Sequence, residues 1–175
     1  MVPFIIFNLV LIIILLILFF AYSMFWPPDS PWAPWWRTDS ETADEICKIA
    51  KIGEGDILYD LGCGDGELLL IAAKKYKAKG VGIEIDLLRF FTAKTKVLKN
   101  GMSKFIKIKR GNFFKQNLSK ATIVSVYLVP RTLEKLKPKF LKELKPGTKI
   151  VSYKYEMNLA KIAEDKKKRI FVYKI

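Results

Sequence analysis

The pattern of apolar and polar positions divides the chain into an apolar head and a longer segment of short alternating runs. Residues 4–26 are apolar, with Asn8 and Ser23 as the two polar interruptions. A helix over this stretch would extend about 34 Å, enough to cross a hydrocarbon core of about 30 Å. Aromatic rings that favour the headgroup region cluster at its far end, at Tyr22, Trp26, Trp32, Trp35 and Trp36. We therefore predict a transmembrane anchor over residues 1–28, contacting the bilayer through residues 4–26.

A cleaved signal peptide is the alternative interpretation of this head. No basic residue precedes the apolar run, the run is long for a signal peptide, and no clean small-x-small cleavage site follows it. A permanent single-pass anchor is therefore favoured. Basic residues close to the helix lie only on its carboxyl side, at Arg37, Lys48 and Lys51, which favours a cytoplasmic location for the rest of the chain. Residues 29–37, rich in Pro and Trp, predict a stiff linker.

Residues 38–175 form the predicted folded domain. Thr38 to Glu41 fit a capping box before a helix with Ile46, Ile49 and Ala50 on one face. Short apolar runs then alternate with helical patterns, which predicts a doubly wound, mostly parallel α/β sheet. Predicted strands are Ile57–Leu61, Val81–Ile85, Phe105–Lys109, Thr122–Tyr127, Lys149–Ser152 and Ile170–Tyr173, and predicted helices are 67–77, 87–99 and 131–144, the last with a bend at Pro138.

Composition removes several classes of chemistry. The 175 residues include no His, which excludes a histidine general base and a histidine-bound metal. We predict no metal site in this protein. The two cysteines, Cys47 and Cys63, do not provide a disulfide framework or a four-ligand zinc site. The predicted domain is long enough to bury a core, which excludes disorder as its main state.

The net charge of +14 is unevenly distributed. Residues 87–155 contain 18 basic and 2 acidic side chains, whereas residues 37–86 contain 7 basic and 11 acidic ones. Such asymmetry favours an anionic lipid surface or, as a weaker alternative, a nucleic acid. Lys outnumbers Arg 26 to 5, and this bias is equally typical of an A/T-rich coding sequence and is less typical of nucleic-acid readers.

The candidate chemistry concentrates between Asp60 and Glu67. Asp60 is the penultimate residue of a predicted strand, three glycines follow at alternate positions (Gly62, Gly64 and Gly66), and a helix begins directly afterwards. Glycines allow a sharp turn and close approach of a ligand to the backbone. The spacing differs from the dinucleotide fingerprint, because Glu67 stands where a third glycine would fall. Glu84, at the end of the next strand, is the acidic residue expected to bind a ribose diol.

These residues carry a family resemblance. DLGCGDG followed by VGIEID resembles motifs I and II of class I S-adenosylmethionine-dependent methyltransferases. The later stretches YLVP and LKPGTKIVS resemble small membrane-anchored bacterial methyltransferases, which are similar to the mitochondrial lysine methyltransferases of ATP synthase subunit c and the adenine nucleotide translocase. The resemblance implies a Rossmann-like fold and S-adenosyl-L-methionine as cofactor. Only about 20 residues follow Tyr155, so a complete seven-stranded sheet is not expected.

The resemblance also implies roles for individual residues. Asp60 would lie near the cofactor ammonium, and Glu84 would bind both ribose hydroxyls. Tyr127 and Pro130 would line the methyl-transfer channel and are the candidate catalytic residues. The remaining candidate cofactor-binding residues are Thr38, Gly62, Gly64, Asp65, Gly66, Asn112 and Phe113. Asn112 replaces an Asp that is usual in relatives, and the chain has Tyr153-Lys154-Tyr155 where relatives often have a His.

Three functions remain open. The first is a membrane-tethered methyltransferase acting on a protein lysine in or near the membrane. The second is a methyltransferase for RNA or for a small or lipidic molecule, and the third is a cofactor-binding module without catalysis. Methylation of a lysine requires loss of its proton, which desolvation in an aromatic channel would promote, and Tyr127 could also hold the ammonium by cation–π attraction. The sequence predicts neither the target lysine nor the oligomeric state.

Overall fold

The computed structural model describes residues 2–25 and 37–175, which belong to two compact units, Met1–Trp35 and Trp36–Ile175. The first unit contains helix α1 (Val2–Phe25). Within it, residues Phe4–Tyr22 are long and apolar enough to cross a membrane, and this segment is not buried in the part of the chain that the structure describes. The predicted linker before Arg37 and the tryptophans of the predicted aromatic cluster lie outside the described residues.

The second unit is a seven-stranded sheet with helices on both faces. Strands β1 to β5 are parallel to their neighbours in the order β3-β2-β1-β4-β5, and two antiparallel strands complete one edge as β5-β7-β6. The elements are α2 (Ser40–Ile49), β1 (Ile57–Leu61), α3 (Glu67–Tyr76), β2 (Lys79–Glu84), α4 (Leu87–Lys99), β3 (Ile106–Arg110), a 3-10 turn (Phe113–Lys115), β4 (Ile123–Val126), α5 (Pro130–Glu143), β5 (Lys149–Tyr153), β6 (Lys161–Asp165) and β7 (Ile170–Lys174).

Alternate residues along each strand build two separate core layers. Leu58, Ile123 and Val151 belong to one buried cluster together with residues of α2 and α3. Their neighbours along the strands, among them Tyr59 and Val124, are buried outside that cluster. Since successive strand residues point to opposite faces, both faces of the sheet are covered, as a doubly wound fold requires.

Two expectations from the sequence are wrong. The sheet is complete, because β6 and β7 need only 14 residues as a tight antiparallel hairpin and therefore fit after Tyr155. Helix α2 is capped by Asp39 and not by Thr38: the Asp39 carboxylate accepts the backbone N–H of Thr42 at 2.8 Å. An ionised carboxylate satisfies an unpaired N–H at a helix start better than a hydroxyl does. Helix α5 continues through Pro138.

The sheet order also indicates where a ligand would bind. The chain proceeds outward from β1 through β2 to β3, and then returns to the other side of β1 with β4. The loops after β1 and β4 therefore leave the sheet in opposite directions and open a crevice at the carboxyl ends of the strands. The motif after β1 lies at this crevice.

Candidate functional site

The loop between β1 and α3 is a tight glycine turn held against the end of β2. Gly62, Gly64 and Gly66 all adopt positive φ, at 83°, 55° and 76°, which side chains with a Cβ rarely tolerate. The backbone N–H of Gly62 donates to the carbonyl of Ile83 at 2.8 Å, which fixes the turn to the neighbouring strand. Gly66 is the N-cap of α3 and has no side chain over the helix start. Gly66 is nevertheless buried and its N–H donates to the carbonyl of Cys63 at 2.8 Å, so the exposed backbone of this turn is that of Gly62.

Glu84 connects this loop with the start of α4. Its carboxylate is buried and accepts three backbone N–H groups at 2.9 Å, from Gly64 through Oε2 and from Ile85 and Asp86 through Oε1. Burial raises the pKa of Glu84, whereas these hydrogen bonds act in the opposite direction. A carboxylate offers about four acceptor positions. About one acceptor position on Glu84 is therefore left open. A diol that donates two hydrogen bonds would have to displace one of the backbone N–H donors.

Asp60 is a buried carboxylate at the carboxyl end of β1. Burial, together with the negative charges of Glu84 and Asp65, raises the pKa of Asp60 to about 7, and a hydrogen bond with Ser125 opposes this shift. A carboxylate in this state is stabilised by a cation brought close to it. Asp60 is thus suited to the ammonium group that the resemblance assigns to it.

Asp65 has a different environment from the other two carboxylates. Its side chain forms ion pairs with Arg37 at 3.2 Å and with Lys96 at 3.0 Å. Lys96 also pairs with Glu67, and Glu67 accepts a hydrogen bond from the Ser40 hydroxyl at 2.6 Å. These contacts join the chain before α2, the glycine loop and α4. Asp65, which the sequence analysis included among the cofactor-binding residues, is engaged here with protein cations.

The segment after β3 lies beside Glu84. The backbone N–H of Gly111 donates to the carbonyl of Glu84 at 2.8 Å, and the side chain of Asn112 caps the short turn by accepting the N–H of Phe114 at 2.9 Å. The half-buried Phe113 ring lies 4.9 Å from that of Phe114. An apolar surface next to the predicted ribose-binding carboxylate is suited to a nucleobase, although the Asn112 oxygen is already used once by its own turn.

The loop after β4 brings the candidate catalytic residues to the same crevice. A Cβ added to Gly62 would lie 3.7 Å from Leu128, so this loop packs directly over the glycine turn. Tyr127 is half-buried before Leu128, and Pro130 begins helix α5 at the surface. Burial is the largest cause that raises the pKa of Tyr127. Its phenol therefore stays protonated at neutral pH and cannot serve as a base.

The structure adds two residues that the sequence analysis left without a role. The Tyr153 ring, at the end of β5, lies 4.6 Å from the Tyr127 ring at 62°, which forms an edge-to-face pair. The ammonium of Lys154 lies 5.4 Å from the centre of the Tyr153 ring and 6.0 Å from that of Tyr127. Lys154 also has a positive φ of 69°, which is unusual for a residue with a side chain. An aromatic recess that contacts an ammonium group thus lies at the ends of β4 and β5.

Cys63 lies inside the glycine turn but does not contribute chemistry. Its thiol is buried, and burial raises its pKa well above the ordinary value. A nucleophilic cysteine needs a thiolate at working pH. Cys63 is therefore a small buried residue between two glycines.

Comparisons with known proteins agree with this geometry. Residues 60–164 match the ANTKMT methyltransferase domain. A protein-lysine N-methyltransferase of Saccharolobus islandicus is 42% identical over 77% of this chain and 82% of its own length. The mouse adenine nucleotide translocase lysine N-methyltransferase is 29% identical over 71% of this chain, which spans 54% of that longer protein.

Solved structures share the fold and contain the cofactor product. An RNA methyltransferase of Salinibacter ruber in complex with S-adenosyl-L-homocysteine is 32% identical, with a TM-score of 0.76 over 80% of this chain and 94% of the other. The buried acidic groups and glycine turn described above fit the cation, the diol and the carboxylate of S-adenosyl-L-methionine. The chain belongs to the family defined by the ANTKMT methyltransferase domain and is a class I methyltransferase dependent on S-adenosyl-L-methionine.

Proposed function

We propose that this enzyme is a membrane-anchored protein-lysine N-methyltransferase that modifies a protein in or near the membrane. The observation that carries the choice of a lysine amine is the recess between Tyr127 and Tyr153, whose rings contact the ammonium of Lys154. Aromatic faces that contact the side chain of one lysine also suit the alkyl chain of a substrate lysine whose amine is neutral. The relatives named as lysine methyltransferases support the same choice.

The cofactor side of the proposed reaction depends on two carboxylates. Bound at this site, S-adenosyl-L-methionine supplies an electrophilic methyl group on a sulfonium centre. Glu84 would hold the ribose hydroxyls, with one of them replacing the Gly64 N–H on the carboxylate. Asp60, whose pKa is raised in the free protein, would ionise against the cofactor ammonium. Gly62, Gly64 and Gly66 would let the methionine portion lie against the backbone.

The substrate side requires a neutral amine. A lysine has an unperturbed pKa of about 10.4, so it must lose a proton to water before it can attack the methyl carbon. The Tyr127 phenol is protonated and therefore binds the amine without taking its proton. The fixed positive charge of Lys154 beside the recess disfavours a second ammonium there. Lys154 would thus act as a positioning residue that favours entry of the neutral amine.

The membrane part of the proposal depends on α1. The Phe4–Tyr22 segment contains no charged residue and is long enough to span a bilayer. Basic residues follow the helix closely, at Arg37, Lys48 and Lys51, which supports a cytoplasmic catalytic unit. A tethered enzyme meets targets in the same membrane at a high effective concentration. We therefore expect membrane proteins to be preferred substrates.

RNA is the second candidate substrate. Two observations favour it: the segment 87–155 contains 18 basic and 2 acidic residues, and the Salinibacter ruber protein of 32% identity is described as an RNA methyltransferase. The loop after β4 reads Tyr-Leu-Val-Pro and offers a phenol and apolar groups to the acceptor. These groups suit an amine on an alkyl chain better than the polar edge of a base.

The deciding experiment supplies radiolabelled cofactor to membranes that contain the enzyme and identifies the labelled species. We expect label in the lysines of membrane proteins, none with the Glu84→Gln enzyme, and sharply less after deletion of residues 1–30. A soluble peptide carrying the same lysine should be methylated equally by both lengths of enzyme. Label chiefly in RNA or lipid would contradict the lysine proposal, and equal labelling of membranes by the truncated enzyme would contradict tethering.

A further inference from the structure

Helix α4 presents a second apolar face that stays exposed among the described residues, 2–25 and 37–175. Its core face is small and consists of Ala93 and Val97, which are buried. Leu87, Phe91 and Leu98 are 43%, 53% and 69% exposed. At 3.6 residues per turn, these three positions fall within about 40° of one another along about 16 Å of helix. Together with the exposed Lys94, which lies between Phe91 and Leu98 on the same side of the helix, they form an exposed stripe, which we call the outer stripe of α4.

The surroundings of the outer stripe are basic. Helix α4 contains Arg89, Lys94, Lys96 and Lys99 and no acidic residue between Leu87 and Lys99. Lys94 and Lys99 are exposed, and the Lys94 ammonium lies 5.8 Å from the centre of the Phe90 ring. The next strand, β3, is the edge of the sheet and adds three further cations, Lys107, Lys109 and Arg110. An apolar stripe bordered by lysines is typical of helices that lie in the interface of an anionic bilayer.

We propose that the outer stripe of α4 inserts into the headgroup region of an anionic membrane and orients the catalytic unit there. A second copy of the chain is a poorer occupant, because two copies joined through this stripe would bring the same lysines together. An anionic lipid surface matches both the apolar residues and the flanking charges. The inference rests on the proposed membrane attachment, which supplies the bilayer.

The position of α4 gives this contact a consequence for the enzyme. The helix begins directly after the Glu84–Asp86 segment, and Asp86 is both its N-cap and a backbone donor to Glu84. Lys96 on the same helix holds Asp65 and Glu67 of the glycine loop. A bilayer that holds α4 therefore also holds one wall of the cofactor site, and the substrate crevice keeps a constant height above the lipid.

The test uses the full-length chain in lipid nanodiscs with single fluorescent labels read by quenchers attached to lipids. Labels are placed through Phe91→Cys and Leu98→Cys, because the native cysteines are buried and react poorly. Leu141→Cys is the matched control: Leu141 is 57% exposed on α5, but lysines occupy the positions four residues before and after it. Leu16→Cys reports on α1 itself.

We expect strong quenching of the labels at 91 and 98 in discs containing phosphatidylglycerol, corresponding to a depth of about 5–10 Å, and little quenching at 141. If the label at 16 is quenched but the label at 91 is quenched no more than the control label at 141, this inference is overturned and the anchor stays intact. No quenching at 16 would overturn the anchor first. Equal quenching at 91 in neutral discs would refute the anionic assignment, and shielding at 91 without lipid quenching would mean a protein occupant.

A second measurement separates orientation from folding. Leu98→Glu should slow methylation of substrates embedded in anionic membranes several-fold, while methylation of a soluble lysine peptide stays unchanged. Leu141→Glu should leave both rates unchanged. Loss of both rates in Leu98→Glu, or an equal loss in Leu141→Glu, would show that the substitution acts on the fold or on general charge, and it would overturn the proposed contact.

Discussion

The raised pKa of Asp60 makes cofactor binding depend on pH in a defined direction. Burial next to Glu84 and Asp65 holds the pKa near 7 in the free enzyme. If the cofactor ammonium binds beside Asp60, the pKa in the complex returns toward the ordinary value of about 3.9. Only the ionised carboxylate then binds well, so affinity must rise as pH increases toward 7. Binding at pH 6 must release nearly one proton for each cofactor bound.

The size of the effect follows from the fraction of ionised Asp60. With a pKa of about 7, this fraction is about one half at pH 7 and about one tenth at pH 6, and it falls about tenfold for each further unit. The dissociation constant should therefore increase about fivefold from pH 7 to pH 6 and by somewhat less than tenfold from pH 6 to pH 5. The cofactor α-amino group, with a reference pKa of about 7.7–8.0, remains protonated over this range and does not obscure the trend.

Calorimetry between pH 5 and pH 7, in pairs of buffers with different ionisation enthalpies, measures both the affinity and the proton release. Asp60→Asn should bind weakly and without this pH dependence. Glu84→Gln removes a negative charge that raises the pKa of Asp60. In this variant the decrease in cofactor affinity on acidification should therefore begin at a lower pH. An affinity that does not change over this range, or an unchanged pH dependence in Asp60→Asn, would refute the assignment of Asp60 to the cofactor cation.

Three further predictions use variants with internal controls. Glu84→Gln should weaken cofactor binding by at least about 1.5 kcal/mol in calorimetry, because hydrogen bonds to a charged group are lost, whereas the exposed Glu54→Gln should not change it. Gly82→Ala should lower the free energy of unfolding by about 1–3 kcal/mol in chemical denaturation, since its Cβ would lie 2.7 Å from a buried sulfur and a buried leucine methyl. Gly53→Ala, with open space around it, is the control and should be nearly neutral. Lys154→Met should move the pH–rate profile for a lysine peptide to higher pH and Lys154→Arg should keep it; an unmoved profile in Lys154→Met would remove the proposed electrostatic role.

The centre of the sheet could be predicted because strands β1, β4 and β5 are buried on both faces. Strand β1 has the predicted bounds, Ile57–Leu61, and the other predicted strands are shifted by at most two residues at either end. Apolar runs of this kind are typical of central strands. Strand β6 was missed because its sequence, Lys161–Asp165, contains only two apolar residues and lies at the edge of the sheet.

Local motifs predicted which residues surround the crevice but not what each side chain contacts. Asp65 stands in the middle of the glycine motif, which suggests a ligand contact. Its partners in the structure are Lys96, 31 residues later, and Arg37, which precedes α2. Likewise, Lys154 reaches Tyr127 only because β5 ends beside the β6–β7 hairpin, where its backbone N–H donates to Arg169 at 2.7 Å. Contacts between residues so far apart along the chain have no local signal in one sequence.

The different environments of the three carboxylates show how the cofactor site is prepared for a cation. Asp65 is paired with two protein cations and stabilises the loop in the free enzyme. Glu84 is held by three backbone N–H groups. Asp60 is buried, and burial is the largest cause of its raised pKa, so the neutral form of the carboxyl group is favoured. Since the raised pKa means that ionisation opposes folding, the free enzyme loses stability as pH rises toward 7, and the bound cofactor restores it. Stabilisation by the cofactor should therefore be larger at pH 7 than at pH 5.5 at equal ligand concentration, which thermal unfolding in nanodiscs would measure.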